Sequence, residues 1–242
     1  YNVLCRKAML RELLDAKPCR IIWKIHQKVM SRPECAKFHE KSTFGHVQTC
    51  ASGPQAANEL SPFRPCSPYA VAKATAFWDV ATYREAYGLH ACSGILFNHE
   101  SPLRPKRFVT RKITSAAVRI ATGSKEILEL GNLNIQRDWG WAPEYVETMW
   151  GMLQLPAAED FVIATGLTFS LEEFLHCVFA DCGLDWHNHV NINQHLARPL
   201  DIQVIRADPS KAKMKLGWVA QHDMKSVVKM MLAAEPGYAS RP

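Results

Sequence analysis

The 242-residue sequence has no glycine before Gly45. Its front therefore holds no glycine-rich first turn of the kind that brings backbone N–H groups against a pyrophosphate at the start of a dinucleotide-binding α/β unit. Long uncharged apolar runs are also missing. Nothing approaches the roughly 18 residues that a membrane-spanning helix needs, and Tyr1 to Arg11 lack the apolar centre of a secretory signal. The expectation is no membrane association and a cytoplasmic protein. The eight cysteines, at 5, 19, 35, 50, 66, 92, 177 and 182, form no Cys-x-x-Cys pair, which excludes a zinc ribbon and reads as free thiols. The stretch His187-Asn-His189 with His195 lacks a matching half-site, so it reads as a polar surface loop and no metal is expected. What is present is ordinary: 48% hydrophobic and 21% charged residues exclude collagen, coiled coil and a disordered chain.

The formal charge is +6, and it is not spread evenly. Residues 1–41 hold ten Lys and Arg against four Asp and Glu, so the remainder is neutral. Tyr1, Trp23 and Phe38 are the only aromatics in that basic front, too few to interleave as a stacking platform, and nucleic acid is not an expected partner. The front reads as a solvated surface or as a segment out of its native context. Starting at Tyr1 without methionine, the chain also reads as a possible fragment.

From Ser67 onward, helix-like and strand-like segments alternate as in a parallel sheet covered by helices. Ser67-Pro68 opens a helix with a hydroxyl cap and a proline in the first turn, running to about Tyr87 and stopping at Gly88. His90 to Phe97 reads as a buried strand and Asn98 to Arg107 as a polar loop at its carboxyl end. A helix is expected from Val109 to Ala121, a strand from Ile127 to Leu130 and a loop from Arg137 to Gly140. Pro143 to Gln154 reads as a helix with Val146, Met149, Trp150 and Leu153 on one face. Phe161 to Ala164 is a strand, Ser170-Leu-Glu-Glu173 is a capping box opening a helix that ends at Gly183, and Lys211–Leu216 and Lys225–Ala233 are the last helices.

Tyr69-Ala-Val-Ala-Lys73 sets a phenol and an ammonium one helical turn apart. The cation can favour the phenolate, and a tyrosine so tuned can take a hydroxyl proton while hydride leaves the same carbon. Taken alone, the spacing also fits an ordinary surface pair. Its place after a capped Ser-Pro start in an α/β alternation favours the chemical reading.

Six ordered motifs extend it: Ser67-Pro-Tyr-Ala-Val-Ala-Lys73, Gly94-Ile-Leu-Phe-Asn-His-Glu-Ser-Pro102, Phe108-Val-Thr-Arg-Lys-Ile113, Leu130-Gly-Asn-Leu133, Arg137-Asp-Trp-Gly140 and Asp160-Phe-Val-Ile-Ala-Thr-Gly166. Together they strongly resemble the GDP-mannose 4,6-dehydratase family of extended short-chain dehydrogenase/reductases, over about Phe44 to Ala233. The resemblance implies an α/β fold, a partial Rossmann-type parallel sheet with a smaller carboxyl-terminal α/β lobe that binds nucleotide sugar. Residues 42–242 carry the two interleaved, and residues 1–41 form an unmatched basic segment. It implies NADP as cofactor, GDP-mannose as substrate and a homo-oligomer, dimer or tetramer. Position by position, Tyr69 matches the catalytic tyrosine and Lys73 its partner, which also contacts the cofactor. His99 and Arg104 match NADP contacts; Asn98, Lys106, Arg137, Arg198 and Asp201 match contacts to the sugar nucleotide, Asp201 standing where the family usually has glutamate. Arg107, Arg111 and Lys112 read as solvated or structural cations.

The family also uses a Thr-Ser-Glu element whose glutamate removes the sugar C5 proton. Here that region reads His39-Glu-Lys-Ser-Thr-Phe-Gly45, with Glu40 the candidate base. Two other readings stay open: a related GDP-sugar reductase or epimerase, which needs no C5 base, and a non-catalytic remnant that binds GDP-sugar or full-length subunits.

Overall fold

A computed structural model describes residues 56–196 and 202–238. Its first helix, α1 (Pro68–Tyr87), starts where the sequence places it. The Ser67 hydroxyl accepts from the Ala70 N–H at 3.1 Å, and Gly88 ends the helix at φ +62°, a left-handed conformation that glycine adopts without a Cβ penalty. The residues that the helix buries are alanines, Ala70, Ala74 and Ala81. At its last turn Arg84 grips Asp160 with both terminal nitrogens, at 2.8 and 2.6 Å.

That grip explains a difference from the sequence reading. The buried strand expected over His90–Phe97 is only β1 (Gly94–Leu96). Before it, side chains take over the work of a ladder: the Ala91 carbonyl accepts from Arg84 and the Ser93 N–H donates to Asp160 Oδ1. β1 pairs in parallel with β6 (Phe161–Ile163), Gly94 opposite Phe161. Both faces of this pair are covered, as in a parallel sheet. Leu96, Phe161 and Ile163 pack against α3 (Ala142–Met152) and α5 (Ser210–Leu216), while Ile95, Phe97, Val162 and Ala164 point the other way, towards Phe63 and Phe77.

The polar segments expected as loops are partly strands. β2 (Asn98–Glu100) pairs in parallel with β5 (Trp139–Trp141), setting Asn98 opposite Trp139 and His99 opposite Gly140. β4 (Gln136–Arg137) runs antiparallel to β7 (Phe169–Ser170), and β3 (Leu128–Leu130) parallel to β8 (Val190–Ile192). The strand expected over Ile127–Leu130 is present as β3, whereas polar composition hid β2 and β4, whose backbone partners lie far along the chain. Helices α2 (Val109–Ala121), α4 (Leu171–Asp181) and α6 (Met224–Ala233) close a second apolar cluster around Ile113, Phe174, Val178, Val228 and Trp139. The Ser170 capping box opens α4 with both reciprocal bonds made.

The face of α3 differs from expectation. Tyr145, Met149 and Met152 are buried, together with Glu144 and Thr148, while Trp150 is half exposed. Glu144 turns inward because its carboxylate accepts from the Gln221 N–H and pairs with His222. Among the described residues no helix is long and apolar enough to cross a membrane.

Candidate active site

Tyr69 lies in the first turn of α1 and is 52% exposed. Lys73 stands one turn on, its ammonium 5.5 Å from the centre of the Tyr69 ring. Partial burial pushes the phenol above its ordinary value, and the same cause lowers the Lys73 ammonium. The cation whose charge opposes the shift of the phenol is Arg104. Burial outweighs that charge, so the phenol stands above its ordinary value.

Arg104 belongs to the turn after β2, and it is held in place. Its Nε lies 3.3 Å from Glu100 Oε2 and its guanidinium carbon 3.9 Å from the centre of the Phe108 ring. Glu100 is 1% exposed, and the Thr110 hydroxyl donates to it at 2.8 Å. Burial raises its carboxyl to about 7 against the opposing influence of Arg104 and Thr110. A second bracket lies beside the first. Arg111 donates to the Pro102 carbonyl and pairs with Glu235 at 2.6 Å, and Glu235 also accepts from Thr114. Two adjacent residues of α2, Thr110 and Arg111, therefore hold the start of the turn that carries Arg104, at Glu100 and Pro102. Lys106, at the tip of that turn, is exposed.

Asn98 and His99 follow β1 at its carboxyl end, where open α/β sheets present their ligand-binding loops. The His99 Nδ1 is 2.8 Å from the Phe97 carbonyl, an acceptor only, so Nδ1 carries the proton and Nε2 is the acceptor of the neutral ring. Tyr145 packs 5.1 Å from the His99 ring and is braced in turn by Trp218. The opposing position must be glycine: a Cβ on Gly140 would come within 2.5 Å of the Tyr145 ring.

Arg137 is 7% exposed and donates to the carbonyls of Gln136, at 2.8 Å, and Gln203, at 3.5 Å. Its neighbour Asp138 is fully buried and accepts from the N–H and hydroxyl of Thr165 and the N–H of Gly166, with burial raising its carboxyl to about 6. Thus the structure brings together Tyr69 and Lys73, places Arg104 against Glu100 and Phe108, and sets Asn98 and His99 in register with the strand after Arg137. Glu40, Arg198 and Asp201 lie outside the described residues. Glu100, Arg111 and Asp138 were not singled out by the sequence reading as site-building residues. Glu100 and Asp138 sit among other polar residues, which periodicity counts as surface.

Parallel strand pairs covered by helices, with Tyr69 and Lys73 at the capped start of a long helix, define a Rossmann-type fold of the short-chain dehydrogenase/reductase class. Two solved structures share it. dTDP-glucose 4,6-dehydratase of Bacillus anthracis in complex with NAD matches with a TM-score of 0.70 at 15% identity, over 78% of this chain and 59% of that one. RMD of Pseudomonas aeruginosa complexed with NADPH matches with a TM-score of 0.68 at 18% identity, over 79% of this chain and 62% of that one. The family model of GDP-mannose 4,6 dehydratase matches residues 20–231, and the chain belongs to that family. GDP-mannose 4,6 dehydratase 2 of Arabidopsis thaliana is 43% identical over 222 residues, 92% of this chain and 59% of the relative. The family match reaches back to residue 20, into the segment that the ordered motifs leave unmatched. The chain spans about three fifths of the length of the curated relatives it matches.

Proposed function

We propose that the protein takes part in the dehydration of GDP-mannose to GDP-4-keto-6-deoxymannose, an NADP-dependent step towards GDP-fucose, as a cytoplasmic homo-oligomer. The observation that carries this reading is the pairing of a half-exposed Tyr69 with Lys73 at the capped start of α1. Family membership supports the choice of substrate.

The described residues fit the nicotinamide end of such a cofactor: an open phenol and ammonium side by side, and an imidazole of defined tautomer at a strand's carboxyl end. Lys73, His99 and Arg104 would hold it, and when bound it supplies reversible hydride transfer. Tyr69 then accepts the C4 hydroxyl proton as that carbon is oxidised, and Arg104 favours the charged phenolate until the proton arrives. A ketone at C4 acidifies the neighbouring C–H, so a carboxylate, for which Glu40 is the candidate, can take the C5 proton while the C6 hydroxyl leaves as water; the hydride removed from C4 would then return to C6 and the carboxyl give its proton back to C5, which yields the 4-keto-6-deoxy sugar with no net oxidation. Asn98, Lys106, Arg137, Arg198 and Asp201 would bind the sugar nucleotide, the arginines through forks suited to phosphate oxygens.

Mass spectrometry of GDP-mannose incubated with the protein and NADP tests this. The 242 residues alone, with no glycine before Gly45, are expected to give no turnover above background; with a glycine-rich pyrophosphate turn and an intact Thr-Ser-Glu element supplied, a product lighter by one water is expected, and Tyr69→Phe should remove most of that turnover. Equal turnover with phenylalanine there refutes the mechanism. Reduction of a 4-keto sugar without loss of water would select a reductase, and GDP binding with neither reaction a non-catalytic remnant.

A further inference from the structure

In a strand pair, side chains alternate between the two faces and paired positions share one face. His99 is paired with Gly140 in the β2–β5 ladder, so glycine leaves open the place beside the imidazole that a cross-strand side chain would take. Tyr145 fills it. A Cβ on Gly140 would come within 2.5 Å of the Tyr145 ring, and that ring lies 5.1 Å from the His99 ring, tilted by 36° to it. The phenol comes from the first turn of α3, which begins directly after β5. It is fully buried in the apolar cluster of Leu96, Met149, Phe161 and Ile163, and Trp218 meets its ring edge-on at 5.9 Å. His99 itself is only partly buried. The bond between its Nδ1 and the Phe97 carbonyl holds one edge of the imidazole, and a packed ring against the imidazole sets its plane.

We propose that Tyr145 is a positioning residue, which from the packed core fixes the orientation of the His99 imidazole, with Gly140 as the bare position that lets it reach there. The bearing of this on the reaction rests on His99 contacting the cofactor, as proposed above. The positioning itself belongs to the chain without ligand and is read there, so its failure and the failure of that reading give different results.

The experiment is NMR of the ligand-free 242-residue chain carrying nitrogen-labelled histidine, at about pH 8, where an ordinary histidine is neutral. His99→Gln assigns the signals. The parent should show His99 as a single tautomer protonated at Nδ1, with nuclear Overhauser contacts between the His99 and Tyr145 rings. Tyr145→Leu should lose that single tautomer, the two ring nitrogens moving towards averaged positions as the imidazole turns from the Phe97 carbonyl. Gly140→Ala pushes the phenol aside and should act in the same way, whereas Tyr145→Phe keeps the ring and should keep the parent pattern. Met149→Ala truncates the same apolar cluster one turn along α3; it should lower stability in urea and leave the His99 pattern intact, which a merely structural role of Tyr145 would not predict. An unchanged pattern in Tyr145→Leu or Gly140→Ala, or an equal loss in Tyr145→Phe or Met149→Ala, overturns the proposal. So does the absence of ring-to-ring contacts in the parent, which decides the question where the variants do not fold.

Discussion

Glu100 and Asp138 are held almost entirely out of water, and each has its carboxyl raised by that burial, to about 7 and about 6. The ordinary values are 4.5 and 3.8. Between those limits the folded chain keeps a proton that the unfolded chain has released. The contribution of each group to stability is therefore full below its unfolded value and is lost as pH rises through its folded one. Urea unfolding should accordingly show these groups favouring the fold more at about pH 5 than at about pH 8. For Glu100 the loss should be on the order of 1 to 3 kcal/mol. Glu100→Gln cannot ionise, so it should flatten the pH dependence across that window. A slope unchanged from the parent would show that Glu100 does not titrate there.

At the scale of elements, α1 is tied to the β1–β6 pair by one side-chain knot. Arg84 meets Asp160 with two nitrogens, and Asp160 also accepts from the Ser93 N–H where the strand ladder has not yet begun. Arg84→Ala would leave a partly buried carboxylate with a single backbone donor. The expected cost is about 2 kcal/mol in urea or thermal unfolding, the range of a charge-assisted bond whose partner is left behind. A loss no larger than that of an exposed substitution such as Arg119→Ala would show that the alanine contacts alone hold the helix. Arg119 is the suitable control because its pair with Glu126 is half exposed, where ion pairs contribute little.

Across the whole molecule, two kinds of binding chemistry are unevenly provided. The proposed sugar-nucleotide contacts Lys106, Arg137 and Arg198 are in the sequence, whereas its first 44 residues hold no glycine to cradle a dinucleotide pyrophosphate. Calorimetric titration of the 242-residue chain should therefore find tighter binding of GDP-mannose than of NADP. Tight NADP binding with no detectable GDP binding would reverse the assignment of these residues. Arg137 carries a second duty in this balance, since its guanidinium already serves the Gln136 and Gln203 carbonyls.

Local rules made part of this protein legible from its letters. The start of α1 follows from a serine cap and a proline at Ser67-Pro68, its end from Gly88, and the opening of α4 from the Ser170–Glu173 box. Each depends on bonds among residues a few positions apart. The Tyr69–Lys73 spacing is of the same kind. What the letters left undecided depends on partners distant in sequence. Asn98–Glu100 and Trp139–Trp141 are strands only because they meet each other, and no periodicity of two or 3.6 residues reveals that in three polar or aromatic positions. Glu144 turns inward because Gln221 and His222 await it. Arg104 lies 3.3 Å from the buried Glu100 and against the Phe108 ring, a setting that no local spacing announces. Charge and hydrogen bonding act through space, and tertiary structure alone brings those groups together.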